Sequence, residues 1–134
     1  MVGNTASRCL IIILLLLTAC ITTPVNSTDI NSSREIEVKL KVPDMGWKIL
    51  IKEIHQRDEA LLVISSLTRH PGPSGQAIST VSDRVRMELP DIPVRHFILG
   101  KTWTWENKEP YTYINSMDDI AGQLEGSRLL YRRP

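Results

Sequence analysis

Apolar and polar residues alternate strictly from Glu35 onward. Ile36, Val38, Leu40 and Val42 are separated by Glu37, Lys39 and Lys41. Period two with charged outer positions predicts a half-buried strand over 35–42. Pro43-Asp44-Met45-Gly46 reads as a turn. Trp47 to Ile54 predicts a second strand, with Trp47, Ile49 and Ile51 on one face. A polar loop follows at 55–59. Ala60 to Leu67 is a continuous, β-branched apolar run of strand length, the pattern of a central strand. Two prolines and two glycines in 70–75 end it, because they neither extend a strand nor start a helix. Strand patterning returns over 78–89, with Val81, Val85, Met87 and Leu89 inward and an irregularity at Ser82-Asp83. Val94 to Thr104 reads as a strand weakened at Gly100. Tyr111 to Ile114 reads as its hairpin partner across 106–110. Helical spacing occurs once, in Met117, Ile120, Ala121 and Leu124. Ser116 is the candidate N-cap, Asp119 supports it, and Gly126 is the stop. The tail from Leu129 fits a last strand or an irregular end. Together these elements predict a mainly β fold: a small antiparallel β-sandwich or barrel-like domain with one C-terminal helix.

Ahead of this domain the pattern is different. Cys9 to Leu17 is unbroken and apolar, and Arg8 precedes it. Such a run is too short for a hydrocarbon core, which needs about 20 residues. A positive start, an apolar middle and small residues at the end describe a secretory signal. Its last residues, Leu17-Thr18-Ala19-Cys20, resemble the lipobox of bacterial lipoproteins. The resemblance implies cleavage before Cys20, with thioether lipidation and N-acylation of that residue. Ordinary secretion with an incidental Cys20 is the alternative, and large Leu17 argues against it. Ile21 is not the Asp associated with inner-membrane retention, which favours an outer-membrane lipoprotein facing the periplasm. Several acyl chains on one residue anchor stably, since each buried CH2 adds about 0.8 kcal/mol. The expected organisation is a signal at 1–19, lipidated Cys20 with a flexible tether to residue 34, and one domain over 35–134. The tether is rich in Ser, Thr and Asn and shows no apolar period. Its two sequons, at Asn26 and Asn31, read as chance in a bacterial lipoprotein.

Composition narrows the chemistry. Losing Arg8 with the signal balances the 16 basic against the 15 acidic residues of the chain. A neutral domain gives no electrostatic case for nucleic acid. Both cysteines, Cys9 and Cys20, fall in or at the end of the signal. The domain therefore has no disulfide, no thiolate metal site and no cysteine nucleophile, and its stability comes from packing. His55, His70 and His96 lack metal-ligand spacing and read as three surface imidazoles. No Gly-x-Ser-x-Gly is present, and Ser74 lacks a strand–turn–helix context. Asp58-Glu59 lies in a loop. Asp118-Asp119 lies at a helix start, where acids complement the dipole. No cofactor or metal is expected, and the reading is non-enzymatic. Arg128, Arg132 and Arg133 read as a solvated basic end, with contact to anionic lipid as the alternative.

Two segments remain as candidate binding surfaces. Trp103, Trp105, Tyr111 and Tyr113 would share one face if a hairpin pairs them. That face is either core beneath the C-terminal helix or an exposed platform for a protein or a glycan. Pro71, Gly72 and Pro73 form either a connector or a recognition loop whose prolines reduce the entropy lost on binding.

The central order also carries a family likeness. It runs from Asp44-Met45-Gly46-Trp47 through the strand Lys48–Ile51, a polar loop and the strand Leu61–Ile64. Pro71-Gly72-Pro73 follows, and then a strand ending at Glu88-Leu89-Pro90. Over residues 36–90 this resembles the C-terminal domain of protease-complex (PrcB-type) lipoproteins. Those proteins carry a Thr-Gly-Gly-Tyr-like turn where this chain has Asp-Met-Gly-Trp. The resemblance implies a small β domain on an envelope lipoprotein that binds and stabilises a partner, a protease among the candidates. It brings no catalytic residues. The expected partners are therefore the bilayer, through acylated Cys20, and a protein, with a glycan as the alternative class.

Overall fold

The structure is a computed structural model that describes residues 32–134. The expected signal, Cys20 and the tether up to residue 31 lie outside the described residues. The tether's expected last residues do not: Ser32, Ser33 and Arg34 open the first strand, β1 (Ser32–Val42). Their backbone pairs with Leu89, Glu88 and Met87. The Arg34 guanidinium fixes this extension by donating to the carbonyls of Pro90 (3.0 Å) and Ile92 (2.7 Å).

The remaining strands are β2 (Trp47–Arg57), β3 (Ala60–Arg69), β4 (Ser79–Leu89), β5 (Val94–Leu99), β6 (Thr112–Ile114) and β7 (Arg128–Arg132). They form two sheets, an antiparallel β1–β4 ribbon and a five-stranded sheet of order β6-β5-β3-β2-β7. The mainly β class and the C-terminal helix stand, and the sheets do not close into a barrel. The expected antiparallel pairing does not hold throughout, since β3–β5 and β5–β6 run parallel.

The ribbon lies over one face of the larger sheet. Ile36, Val38, Leu40 and Val42 of β1 and Val85 and Leu89 of β4 pack on Ile49, Ile51, Ile54, Leu61, Val63, Leu67 and Ile98. The opposite face is covered by a 3₁₀ turn (Met117–Ile120) running into α1 (Ala121–Leu124). Ile120, with half-buried Leu124, closes over Leu62, Ile64, Phe97 and Ile114. A sheet covered on both faces needs a central strand without polar alternation. This is why Leu61 to Ser65 are all buried.

Several local expectations change. The 55–59 loop shrinks to the two-residue turn Asp58-Glu59, because His55, Gln56 and Arg57 pair with Leu62, Leu61 and Ala60. Asp58 takes the left-handed conformation (φ 52°) that a short polar side chain tolerates. The strand expected to reach Thr104 ends at Leu99. Gly100 has φ 100°, and a Cβ there would lie 2.5 Å from the Leu67 carbonyl oxygen, so the chain turns out of the sheet. The hairpin expected across 106–110 is absent, because β6 returns parallel to β5 after a crossover. The helix is shorter than its apolar spacing suggested, and Met117 and Ala121 are exposed. Its ends are as expected: Asp119 Oδ2 accepts from the Asn115 and Ser116 backbone, and Gly126 (φ 75°) stops it.

The β1–β4 register continues without a break through Ser82 and Asp83. Asp83 sits in the inward row, and there its Oδ2 accepts from Ile51 N (2.8 Å) and Arg133 Nη1 (2.9 Å). Ile51 lies just past the end of the β2–β7 pairing, which begins at Glu53, and its N–H goes to Asp83 instead. Asp83 therefore clips the ribbon to the larger sheet. Asp83→Ala is expected to destabilise the fold by about 2 kcal/mol, since it strands a buried N–H and a guanidinium. Asp91→Ala, whose side chain is 94% exposed, should change stability by less than about 0.5 kcal/mol. Urea unfolding of both variants checks this.

Candidate functional site

The strand register gathers three connections at one pole of the sandwich. Val42 pairs with Ser79, Trp47 with Arg69, and Ser66 with Leu99. The 43–46 turn, the 70–78 loop and the start of the 100–111 crossover therefore share the end opposite Ser32. Both sequence-predicted surfaces, the prolines and the tryptophans, meet there.

The turn is built on Asp44. Its Oδ1 accepts from Gly46 N (2.7 Å), and Arg69 Nε lies 3.3 Å from Oδ2. The Gly46 N–H holds the Asp44 carboxyl below its ordinary value; burial opposes this and Arg69 reinforces it. The 70–75 loop is pinned to the turn at both ends, by His70 N to Gly46 O (2.7 Å) and Met45 N to Gly75 O (2.9 Å). A Cβ on Gly46 would lie 2.3 Å from Ser74 Oγ, so any larger residue here would push the Ser74 side chain away from the turn. Pro71, Gly72 and Pro73 remain exposed above this base.

No hairpin pairs the four aromatic residues, and they do not lie beneath the helix. Trp103 is half-buried on the ribbon side of the core, edge-on to Trp47 with centroids 5.1 Å apart. Its Nε1 donates to Asn107 Oδ1 (2.9 Å). Trp105 stacks on Trp103 at 5.5 Å and is exposed. Tyr111 and Tyr113 pack on the same core. Lys101 Nζ lies 4.6 Å from the Tyr113 ring centroid, a cation–π contact. Burial raises the Tyr113 hydroxyl to about 12, with Glu109 and Tyr111 adding to the effect.

The crossover also seals the free edge of β1. Lys39 N donates to Tyr111 Oη (3.0 Å), Lys41 N to Glu109 Oε1 (2.9 Å), and Asn107 Nδ2 to the Lys41 carbonyl (2.8 Å). Three side chains thus occupy the backbone groups where another strand would pair.

Two histidines depart from the surface reading. His55 is buried, its Nε2 2.7 Å from Glu53 Oε2 and its Nδ1 3.1 Å from Ser127 Oγ. Arg132 holds Glu53 Oε1 at 2.8 Å. Burial alone would raise the Glu53 carboxyl, but His55 and Arg132 hold it below 4.5. Both ring nitrogens and both carboxylate oxygens are used within the fold, so this relay ties β2 to β7 and to the corner after α1. No spacing rule reveals it, since Ser127 lies 72 residues from His55. His96 packs beside Tyr111 at 4.9 Å. Only His70 is exposed. The basic end is also tied down: Arg128 donates to Gln56, Arg132 pairs with Glu53, and Arg133 with Asp83.

Met45 and Ile78, 66% and 70% exposed, lie on the first two polar connections and Trp105 on the third. The pole thus offers exposed apolar anchors on a braced base, a composition suited to gripping a protein. No protein-family model matches the chain, and neither the curated proteins nor the solved structures contain a significant match to it.

Burial lowers the His96 pKa from 6.5. The unfolded chain takes up a proton at 6.5, whereas the folded protein resists it. Stability is therefore complete above that value and falls as the pH drops through the lowered one. Urea unfolding at about pH 7.5 and about pH 5.5 should show the loss. His96→Gln should shrink it.

Proposed function

We propose that the chain is a lipid-anchored cell-envelope protein that binds, and stabilises or inhibits, another envelope or secreted protein. It acts by binding rather than catalysis. The observation that carries this is the gathering of Met45, Ile78, Trp105 and the Pro71–Pro73 loop at the pole opposite Ser32. The Leu17-Thr18-Ala19-Cys20 run supports acylation at Cys20 and outer-membrane attachment. A chain anchored there reaches the domain at Ser32. The eleven residues of β1 then hold the loop pole about 33 Å farther from that point. The binding end is thus the pole remote from the attachment point. The likeness of residues 36–90 to PrcB-type domains puts a protease first among candidate partners.

The test is affinity capture of the full lipidated chain from detergent-solubilised native membranes, with mass spectrometry of what co-purifies. One stoichiometric envelope protein is expected. A Met45→Ser, Ile78→Ser, Trp105→Ala variant should weaken its capture by at least about tenfold. Met117→Ser with Leu129→Ser, exposed residues off the three connections, should leave capture unchanged. Capture unaffected by the first variant overturns the loop pole as the binding surface. Sedimentation with insoluble peptidoglycan that depends on Trp105 would replace the protein partner with a glycan.

A further inference from the structure

The short helix leaves part of the sheet bare. Towards the pole where β1 begins, a cleft of about 1070 Å³ opens between Gly122-Gln123 and the ends of β2, β3 and β5. Half-buried Ala60 of β3 and exposed Pro93 give its apolar floor, and buried Leu62 lies beneath. Arg57 pairs beside Ala60 on one side, and Arg95 pairs beside Leu62 on the other. Neighbouring strands lie about 4.8 Å apart, so the strands bearing the two arginines are about 10 Å apart across β3. That separation lets both side chains reach one anion above the floor.

The two arginines differ. Arg57 donates to the Gly122 carbonyl and lies 3.9 Å from Asp58. Arg95 is exposed, and no carboxylate pairs with it among the described residues. A guanidinium free at the wall of a cleft is a ready bidentate donor to a phosphate. Asp58 and Glu59, both exposed, line the same cleft. Two cations and two anions around an apolar floor match a zwitterion better than a simple anion.

We propose that this cleft binds the phosphoethanolamine headgroup of a membrane lipid. The phosphate sits on Arg95 and Arg57, the ammonium faces Asp58 and Glu59, and the glycerol carbons rest on Ala60 and Pro93. The lipid as source rests on the anchored reading above, because an anchored chain would enter the domain at this same pole.

The full-length protein in phosphate-free maltoside micelles is titrated with glycerophosphoethanolamine, and separately with inorganic phosphate. Binding is followed by nitrogen-15 shifts of the Arg95 side chain and Gln123 amide. Saturable shifts with the zwitterion are expected. Arg95→Ala should weaken them at least about tenfold, the effect of losing a charge-assisted hydrogen bond. Asp58→Asn with Glu59→Gln should weaken the zwitterion but not inorganic phosphate. Arg128→Ala, at the same pole but outside the cleft, should change nothing. Absence of saturable shifts, or inorganic phosphate binding as tightly as the zwitterion, overturns the proposal. Labelling of Cys20 with a palmitate analogue reads the anchor separately. Labelled protein with a silent cleft overturns this proposal alone. A binding cleft on protein with unlabelled Cys20 overturns the lipid as its source.

Discussion

Everything in this domain depends on keeping a two-stranded ribbon seated on a five-stranded sheet. Two strands alone are marginal in water. The β1–β4 ribbon persists because its inward aliphatic row is removed from solvent against β2, β3 and β5. Such a sandwich has two open seams, and each is sealed by side chains rather than by a backbone ladder. On one seam Asp83 accepts from Ile51 N and Arg133. On the other, Asn107, Glu109 and Tyr111 take the backbone groups of Lys39 and Lys41. A charged residue in the inward row is tolerable only because both its partners are fixed.

The same seams give the molecule its polarity. The crossover that seals β1 also carries Trp103 and Trp105, so edge protection and presentation of the loop pole are tasks of one segment. Trp103 is spent on packing against Trp47, and Trp105 is left outside. At the opposite pole the helix is too short to cover the sheet, and the Arg57–Arg95 cleft results. The functional reading follows from this division: a braced, apolar set of loops at one end, and a charged, partly open end where β1 starts.

Legibility in the sequence followed the range of the interaction. Ile36, Val38, Leu40 and Val42 announced β1 because alternation is a property of neighbouring residues. The Leu61–Ser65 run announced a strand buried on both faces for the same reason. Pro71–Gly75, the Ser116–Asp119 cap and the Gly126 stop were legible because each acts on its own backbone. Gly100 was read as a weakness within a strand. The left-handed turn that ends the strand depends on the Leu67 carbonyl, from a different strand. Asp83 was read as an irregularity because its partners, Ile51 and Arg133, are distant in the chain. His55 looked like a loop residue until β7 and Ser127 were brought alongside it.

By itself, then, the sequence determined the cores of β1 to β4, the proline and glycine turns and the ends of the helix, because hydrophobic period, proline and glycine act within a few residues. It also determined which side of β1, and of β2 as far as Ile51, is apolar. Tertiary structure alone decided the parallel return of β6, the sealing of both seams and the fate of each tryptophan. It alone decided that the prolines and Trp105 share a pole. Those outcomes depend on which distant backbone groups are left unpaired once the sheets stack, and a partner for an unpaired group can come from anywhere along the chain.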